Sequence, residues 1–224
     1  MSHIKDNLAQ VELQIADACK QAKRNRNDVQ LLAVSKTKPH SQVREAYHAG
    51  QIAFGENYLQ EAVEKIQQLA DLEHICWHFI GPIQSNKTRL IAEHFSWVQS
   101  VDRKKIITRL NEQRSGQDTP LNVCLQVNIS GEASKSGIEV NELDELAAMV
   151  ANADNLTLRG LMAIPEKHNA VQSFARMASL FQILQHRYET VNTLSMGMSG
   201  DLAQAISHGS TMVRIGTAIF GART

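Results

Sequence analysis

The run Leu31-Leu32-Ala33-Val34-Ser35-Lys36-Thr37-Lys38-Pro39 reads as a buried strand that ends on a lysine. Alternate residues of a strand face opposite sides. Leu32, Val34 and Lys36 therefore share one face, and Leu31, Ala33 and Ser35 share the other. Pro39 lacks an N–H and argues against continuation of the strand. A lysine thus points inward from the carboxyl end of a buried strand. A buried ammonium is costly unless paired, and burial lowers its pKa. The result is a nucleophilic amine of the kind that condenses with an aldehyde. The plainer alternative is a strand-end lysine whose ammonium snorkels to water. Lys38 has the same parity, but it stands past the strand, where water is expected to reach it.

Outward from this strand the chain alternates. Apolar, β-rich runs recur at Leu31–Ser35, Ile52–Phe54, Trp77–Ile80, Trp97–Val101, Leu121–Ile129, Leu158–Ile164, Thr193–Met198 and Thr211–Ile215. Helical patterns lie between most of them, at Ser41–Ala49, Tyr58–Leu72, Ser85–His94, Arg103–Arg114, Val140–Ala153, Val171–Tyr188 and Leu202–Ser207. The spacing of Leu143, Leu146, Ala147 and Val150 shows the helical period. Strands alternating with helices imply parallel pairing through right-handed crossovers. Eight such repeats predict a closed (β/α)8 barrel of the TIM type. A helix over roughly Ile4 to Gln21 precedes the first strand, and only Gly216 to Thr224 follow the eighth. The N-terminal helix is therefore expected to cover surface that a long eighth helix would otherwise cover. No Gly/Ser-rich linker or low-complexity stretch divides the chain, so residues 1–224 are read as a single domain. Gly116–Pro120 and Pro165–Ala170 read as loops.

Composition narrows the function classes. Lysine plus arginine equals aspartate plus glutamate at 23 each among 224 residues. A nucleic-acid binder needs a basic face, and none is visible. The cluster Lys20, Lys23, Arg24 and Arg26 falls at a helix end, where cations complement the helix dipole. Cys19, Cys76 and Cys124 show no paired spacing, and their apolar neighbours suit reduced core thiols of a cytoplasmic protein. The first residues lack the apolar segment of a signal peptide, and no run approaches membrane-spanning length.

Active sites of such barrels form at the carboxyl ends of the strands. The residues there are Lys36 after the first strand, Gly55-Glu56-Asn57 after the second and Gly81-Pro82 after the third. Asn128 and Ser130 follow the fifth, Met162-Ala163 end the sixth, Gly197-Met198-Ser199-Gly200 the seventh, and Arg214-Ile215-Gly216-Thr217 the eighth. The loops after strands seven and eight commonly bind phosphate. Ser199-Gly200 opens one predicted helix and Gly216-Thr217 the last turn. Glycine permits close backbone approach, helix-start N–H groups favour an anion, and the hydroxyls add donors. Ser199 as a simple N-cap and Gly216 as a simple turn remain the alternatives. Arg214, between Val213 and Ile215, keeps its charge and must meet either a carboxylate or a ligand. An amine for an aldehyde, a phosphate cup and a cationic donor between them outline a pyridoxal 5′-phosphate site. Asn57 is placed to donate to the ring's phenolic oxygen.

Other groupings are weaker. His74 and His78 stand four apart, but the residues between them enter a strand, so no metal site is expected. Met162, Met196, Met198 and Met212 fall on strands and read as packing, as do Trp77 and Trp97. Met162 also ends a strand at the site and is counted with the cofactor-contacting residues.

Eight blocks, in this order, resemble the pyridoxal phosphate homeostasis (YggS-like) family across nearly the whole chain. They are Leu31–Pro39, Phe54-Gly55-Glu56-Asn57-Tyr58, Trp77-His78-Phe79-Ile80-Gly81, Gln84-Ser85-Asn86-Lys87, Ser134-Lys135-Ser136-Gly137, Arg159-Gly160-Leu161-Met162, Leu194–Ser199 and Arg214–Gly221. The resemblance implies a fold-type III barrel like the N-terminal domain of alanine racemase. It implies Lys36 as the Schiff-base lysine, phosphate contacts from Ser199 and Gly216-Thr217, and Arg214 beside the pyridine nitrogen. It also implies a cofactor-binding protein of vitamin B6 balance without an established reaction, with no catalytic residue to name. Apo forms of pyridoxal-phosphate enzymes would be the acceptors, and the protein is expected to be monomeric. The family usually carries an acidic residue after the serine of the Met-Gly-Met-Ser motif, where Gly200 stands here. The competing readings are a pyridoxal-phosphate amino-acid racemase and an aldolase that uses Lys36 directly on a sugar phosphate. Tyr47, Tyr58 and Tyr188, the candidates for a racemase's second base, fall on predicted helices.

Overall fold

The computed structural model describes residues 3–131, 136–165 and 170–222. Eight parallel strands close into a barrel in chain order. They are β1 (Gln30–Val34), β2 (Ala53–Glu56), β3 (Cys76–Phe79), β4 (Trp97–Val101), β5 (Leu121–Gln126), β6 (Leu156–Met162), β7 (Thr193–Ser195) and β8 (Met212–Ile215). The barrel closes where β8 pairs with β1, Leu32 lying opposite Arg214. The helices are α1 (Ile4–Gln21), α2 (His40–His48), α3 (Leu59–Gln68), α4 (Thr88–His94), α5 (Lys104–Arg114), α6 (Leu143–Ala151), α7 (Ala170–Arg187), α8 (Leu202–Ser207) and α9 (Thr217–Phe220). The expected alternation holds. The predicted loop Pro165–Ala170 and the block Ser134–Gly137 fall largely outside the described residues.

Strand parity sorts the side chains as the sequence implied. Leu32, Ala53, Ile80 and Met212, with Val34, form a small cluster inside the barrel. Leu31, Ala33 and Phe54 face the layer between barrel and helices, where most of the apolar core lies. Several strands are shorter than their apolar runs. The fifth run extends to Ile129, but β5 ends at Gln126; beyond it the Val127 N–H still donates to the Met162 carbonyl at 2.9 Å, and Val127 pairs with Ile138 in an isolated bridge. Ile52 is half exposed and precedes β2, whereas Glu56 is fully buried within it. Glu56 therefore belongs to the barrel wall and not to the loop after it.

Helix α1 packs on α2, α8 and α9, across the seam between β8 and β1. Ile4, Leu8, Val11 and Ile15 are its buried face. Each contributes about 1.5–3 kcal/mol when fully buried. Asn7 donates to the Ile219 carbonyl at 2.9 Å, and Arg24 donates to the carbonyls of Ile206 and Ser210 at 2.9 and 2.7 Å. The N-terminal helix thus does the work of a long eighth helix. Arg24 satisfies carbonyls at the end of α8, and Arg26 pairs with Glu12, so the two arginines of the basic cluster are structural. Cys19 and Cys124 are buried free thiols, and Cys76 is partly buried. Burial pushes the Cys76 thiol up to about 11 and that of Cys124 to about 12. Among the described residues no group of three or more metal-ligating side chains converges, and no helix is long and apolar enough to cross a membrane.

Candidate functional site

A cavity of about 330 Å³ opens at the carboxyl ends of the strands. Lys36, Asn57, Met162, Ser199, Arg214, Gly216 and Thr217 all line it, so the seven residues assigned to the cofactor from the sequence converge there, whereas Gly81, Pro82, Asn128 and Ser130, also read at strand ends, do not line it. Val34 and Ile80 form its floor, and Ile164 and Met198 its partly exposed rim. Met198 is thus a mouth residue and not core filler. Met162, at 1% exposure, is packed as expected and also presents to the cavity.

Lys36 stands two residues past the end of β1, on the parity of Leu32 and Val34, and is half-buried. Lys38 overturns its expectation. It is buried, and its Nζ donates to the Ala222 carbonyl at 2.6 Å. The C-terminal tail folds back over the β1–α2 loop and removes Lys38 from water, which a reading of local sequence could not show.

Arg214 is buried in β8 without a carboxylate partner among the described residues. Its NH1 donates to Ser195 O at 2.7 Å and Ser195 Oγ at 2.8 Å, and its NH2 to Ala163 O at 2.9 Å. Burial lowers its pKa to about 10, opposed by Asp201, so it stays charged at neutral pH. The carboxylate alternative falls. Three donors hold the guanidinium to β7 and the end of β6, and an arginine has five.

Beneath Arg214 runs a polar chain that sequence reasoning missed. Ser195 Oγ donates to Gln99 Oε1 at 2.6 Å, and Gln99 Nε2 lies 2.9 Å from His78 Nδ1 and 3.1 Å from Met212 Sδ. His78 Nε2 lies 3.4 Å from Cys76 Sγ. Arginine can only donate, so its bond makes the Ser195 hydroxyl an acceptor that passes its own proton toward Gln99. That fixes the Gln99 amide with Nε2 toward His78, makes His78 Nδ1 an acceptor and leaves the ring proton on Nε2. Burial pushes the imidazole down to about 3, so it is neutral, and it stacks on Trp97 at 5.0 Å. The chain joins β8, β7, β4 and β3 through the barrel interior. No local motif announces it.

Asn57 follows β2, and its Oδ1 is buried with no hydrogen-bond partner among the described residues. Gly81 fixes this position, since a Cβ there would lie 2.1 Å from the Asn57 carbonyl oxygen. Gly216 plays the same part opposite, because a Cβ there would meet the Val34 carbonyl at 3.0 Å. Its backbone thus lies against β1 beside Lys36. Ser199 is exposed and is not the N-cap of α8. Asp201 holds that position, and its carboxylate accepts from Met198 N–H at 2.6 Å. Gly216 is the N-cap of α9, and Thr217 is exposed at its first turn.

On the other side of Asn57 lies a more apolar cavity of about 440 Å³, lined by Tyr58, Leu59, Phe79, Pro82 and Lys87 among others. It contains no counterpart of Arg214, and its walls lack a turn after strands seven or eight. Tyr58 precedes α3 and Tyr188 follows α7, so both flank helices where the sequence placed them inside. Tyr47 donates to the Glu73 carbonyl. No tyrosine lines the Lys36 cavity among the described residues.

The alanine racemase N-terminal domain family matches residues 7–224. A pyridoxal phosphate homeostasis protein of Pseudomonas aeruginosa is 59% identical over 225 residues, covering 100% of this chain and 97% of its own. One of Pasteurella multocida is 57% identical over 227 residues, covering 98% and 97%. This chain belongs to the pyridoxal phosphate homeostasis protein family. Among solved structures, PipY of Synechococcus elongatus with PLP bound is 35% identical, with a TM-score of 0.78 over 92% of this chain and 100% of its own.

Membership in the family accords with the cavity. Lys36 offers an amine, the buried Asn57 Oδ1 lacks a partner among the described residues, and Arg214 supplies fixed donors. The unpaired atom is Oδ1, an acceptor, whereas the sequence reading had Asn57 donate. A half-turn of the amide exchanges its oxygen and nitrogen, so either a phenol or a phenolate oxygen can be met. The residues present therefore fit pyridoxal phosphate.

Proposed function

We propose that this protein binds pyridoxal 5′-phosphate through Lys36 as a Schiff base and serves intracellular vitamin B6 homeostasis, releasing the cofactor to apo forms of enzymes that use it. The observation that carries this reading is the convergence of the Lys36 amine, the Arg214 guanidinium and Asn57, whose buried Oδ1 has no partner among the described residues, on one cavity, in a family with a relative solved with PLP bound. Condensation of the Lys36 amine with the cofactor's aldehyde forms one C=N bond and releases one water. Asn57 bonds the ring's phenolic oxygen, Met162 packs on the ring, and Arg214 lies against the pyridine nitrogen. Ser199, Gly216 and Thr217 take the phosphate through hydroxyl and backbone N–H donors. Residues 1–224 act as one such domain, as a monomer, in the cytoplasm.

Pyridoxal phosphate is an electron sink for carbanions when its ring nitrogen is protonated. A fixed cation beside that nitrogen disfavours its protonation, so Arg214 suits holding over turnover. A racemase also needs a second base opposite the lysine, and the cavity presents none from tyrosine. The test is borohydride reduction of the loaded protein followed by peptide mapping. The label should map to Lys36 and vanish in Lys36→Ala; label on another lysine would sink the assignment. Incubation with L-alanine in deuterated water should give no α-carbon exchange that depends on Lys36, while transfer to an apo-enzyme should proceed. Size-exclusion chromatography reports the monomer.

A further inference from the structure

The layer between the barrel and α3 buries a cluster of charges behind Lys36. Lys65, at 4% exposure, donates from Nζ to Glu56 Oε1 at 2.6 Å, to the Ser35 carbonyl at 2.9 Å and to Glu61 Oε1 at 3.0 Å. Ser35 Oγ donates to the same Glu56 oxygen at 2.6 Å. The Thr37 N–H donates to Glu61 Oε1 at 2.6 Å. The cluster therefore grips the backbone immediately before and immediately after Lys36, through Ser35 and Thr37.

The gripped segment is strained. Thr37 has a φ of +64°, the left-handed region, although it is neither glycine nor asparagine. A β-branched residue there is an outlier, and such strain persists only where surrounding structure holds it. Without the turn, the chain would leave β1 straight toward α2. With it, the backbone reverses over Ser35–Thr37, and the Lys38 N–H bonds back to the Ser35 carbonyl at 3.1 Å. The same carbonyl receives Lys65. A buried ion pair is a weak source of stability but a strong constraint on geometry.

We propose that Lys65, Glu56 and Glu61 form a buried clamp that holds the Ser35–Lys36–Thr37 turn in its strained form and so aims the Lys36 amine into the cavity. They are positioning residues, since none of them lines the cavity. The inference rests on the reading of Lys36 as the covalent anchor. It adds why that amine is presented: the clamp sits on the opposite face of the β1 end, where Ser35 and Glu56 have outward parity.

Glu61 is the residue to test, because it lies at the rim of the cluster and its loss leaves the Glu56–Lys65 pair intact. In Glu61→Ala, Thr37 amide hydrogen exchange should accelerate about tenfold, the size expected for one hydrogen bond to a charged acceptor. Borohydride-fixable capture of pyridoxal phosphate should slow by about the same factor. Affinity for pyridoxamine 5′-phosphate, which has an amine in place of the aldehyde and cannot condense with Lys36, should stay within about twofold. Glu61→Gln keeps an acceptor oxygen and should restore most of both effects. Unchanged exchange at Thr37 would overturn the clamp. So would an equal loss of pyridoxal and pyridoxamine phosphate binding, which marks general damage. If the parent protein captured no pyridoxal phosphate, the functional reading would fail, and Thr37 exchange alone would still decide whether the clamp exists.

Discussion

Behind Lys36 the molecule uses formal charges: buried Lys65 bridges buried Glu56 and partly exposed Glu61 in the layer outside the barrel wall. Beneath Arg214, inside the barrel, it buries neutral groups: Ser195, Gln99 and His78 pass hydrogen bonds in one direction away from a single cation. Both clusters support a side chain that lines the cavity, and they do so differently. The first holds backbone, because a lysine just past a strand end is aimed by its turn. The second holds a side chain, because Arg214 already sits on a strand and needs only its guanidinium plane fixed. A charged cluster is sensitive to loss of one partner, while a neutral chain is sensitive to protonation. The two regions can therefore be separated by mutation and by acid.

The largest effect is expected in the charged cluster. Lys65→Met should lower unfolding free energy by about 4 kcal/mol, because it leaves Glu56 buried and unpaired. The double variant Glu56→Gln with Lys65→Met should recover most of that stability, since the charge that remains, on Glu61, lies at the partly exposed rim of the cluster. Urea unfolding of the two variants measures it, and a double variant no better than the single would break the description of the cluster as a compensated pair.

Acid should act next, and with opposite signs on the two regions. The His78 imidazole is pushed by burial from 6.5 down to about 3, so between those values the unfolded state holds the extra proton. Stability from His78 is full above the unfolded value and is lost as pH falls through this window, by about 3 kcal/mol at about pH 4. Burial pushes the Glu56 carboxyl above its usual range, against Lys65 and Ser35. There the folded state holds the extra proton, so this group's contribution grows as pH falls through its folded value. His78→Gln should flatten the acid limb of a stability–pH curve. An unaltered limb would mean that the neutral chain is not what acid attacks.

Gln99→Leu sharpens the comparison from the neutral side. It leaves the His78 Nδ1 acceptor without its donor and the Ser195 hydroxyl without its acceptor, for about 2 kcal/mol of stability. Pyridoxal phosphate affinity should fall modestly, as Ser195 becomes free to turn from Arg214, while the covalent site stays at Lys36. Calorimetric melting and mapping after borohydride reduction read the two separately.

The smallest effect is expected at Lys38→Ala, which removes one bond to the Ala222 carbonyl and should cost about 1 kcal/mol. Covalent capture should persist. Loss of capture in this variant, with a folded protein, would transfer the role of anchor away from Lys36.

Much of this was legible in the chain. Each of the eight strands of the barrel was announced by an apolar run, because a strand buried on both faces has no polar alternation to blur it. The convergence of Lys36, Asn57, Met162, Ser199, Arg214, Gly216 and Thr217 followed from strand ends alone, since parallel closure sends every carboxyl end to one rim. Glu56 was mistaken for loop, although a carboxylate flanked by an apolar strand is a signal that asks for a buried partner. Lys65 gave no such sign. Paired with Glu61 at helical spacing, it reads as an ordinary surface ion pair.

The sequence by itself determined the alternation, the order of the strands and the inward parity of Lys36, because these depend on residue type and a period of two or 3.6. Only the tertiary structure decided which polar groups meet. Lys38 meets Ala222 because the tail returns across the β1–α2 loop. Arg214 meets Ser195 and, through it, Gln99 and His78 because closure brings β8, β7, β4 and β3 around one interior. Lys65 meets Glu56 because α3 lies against the strand that precedes it. Such partners are distant in sequence or opposite in apparent exposure, and a hydrogen bond is set by geometry within a few tenths of an ångström. No pattern of residue types carries that information until the barrel has closed.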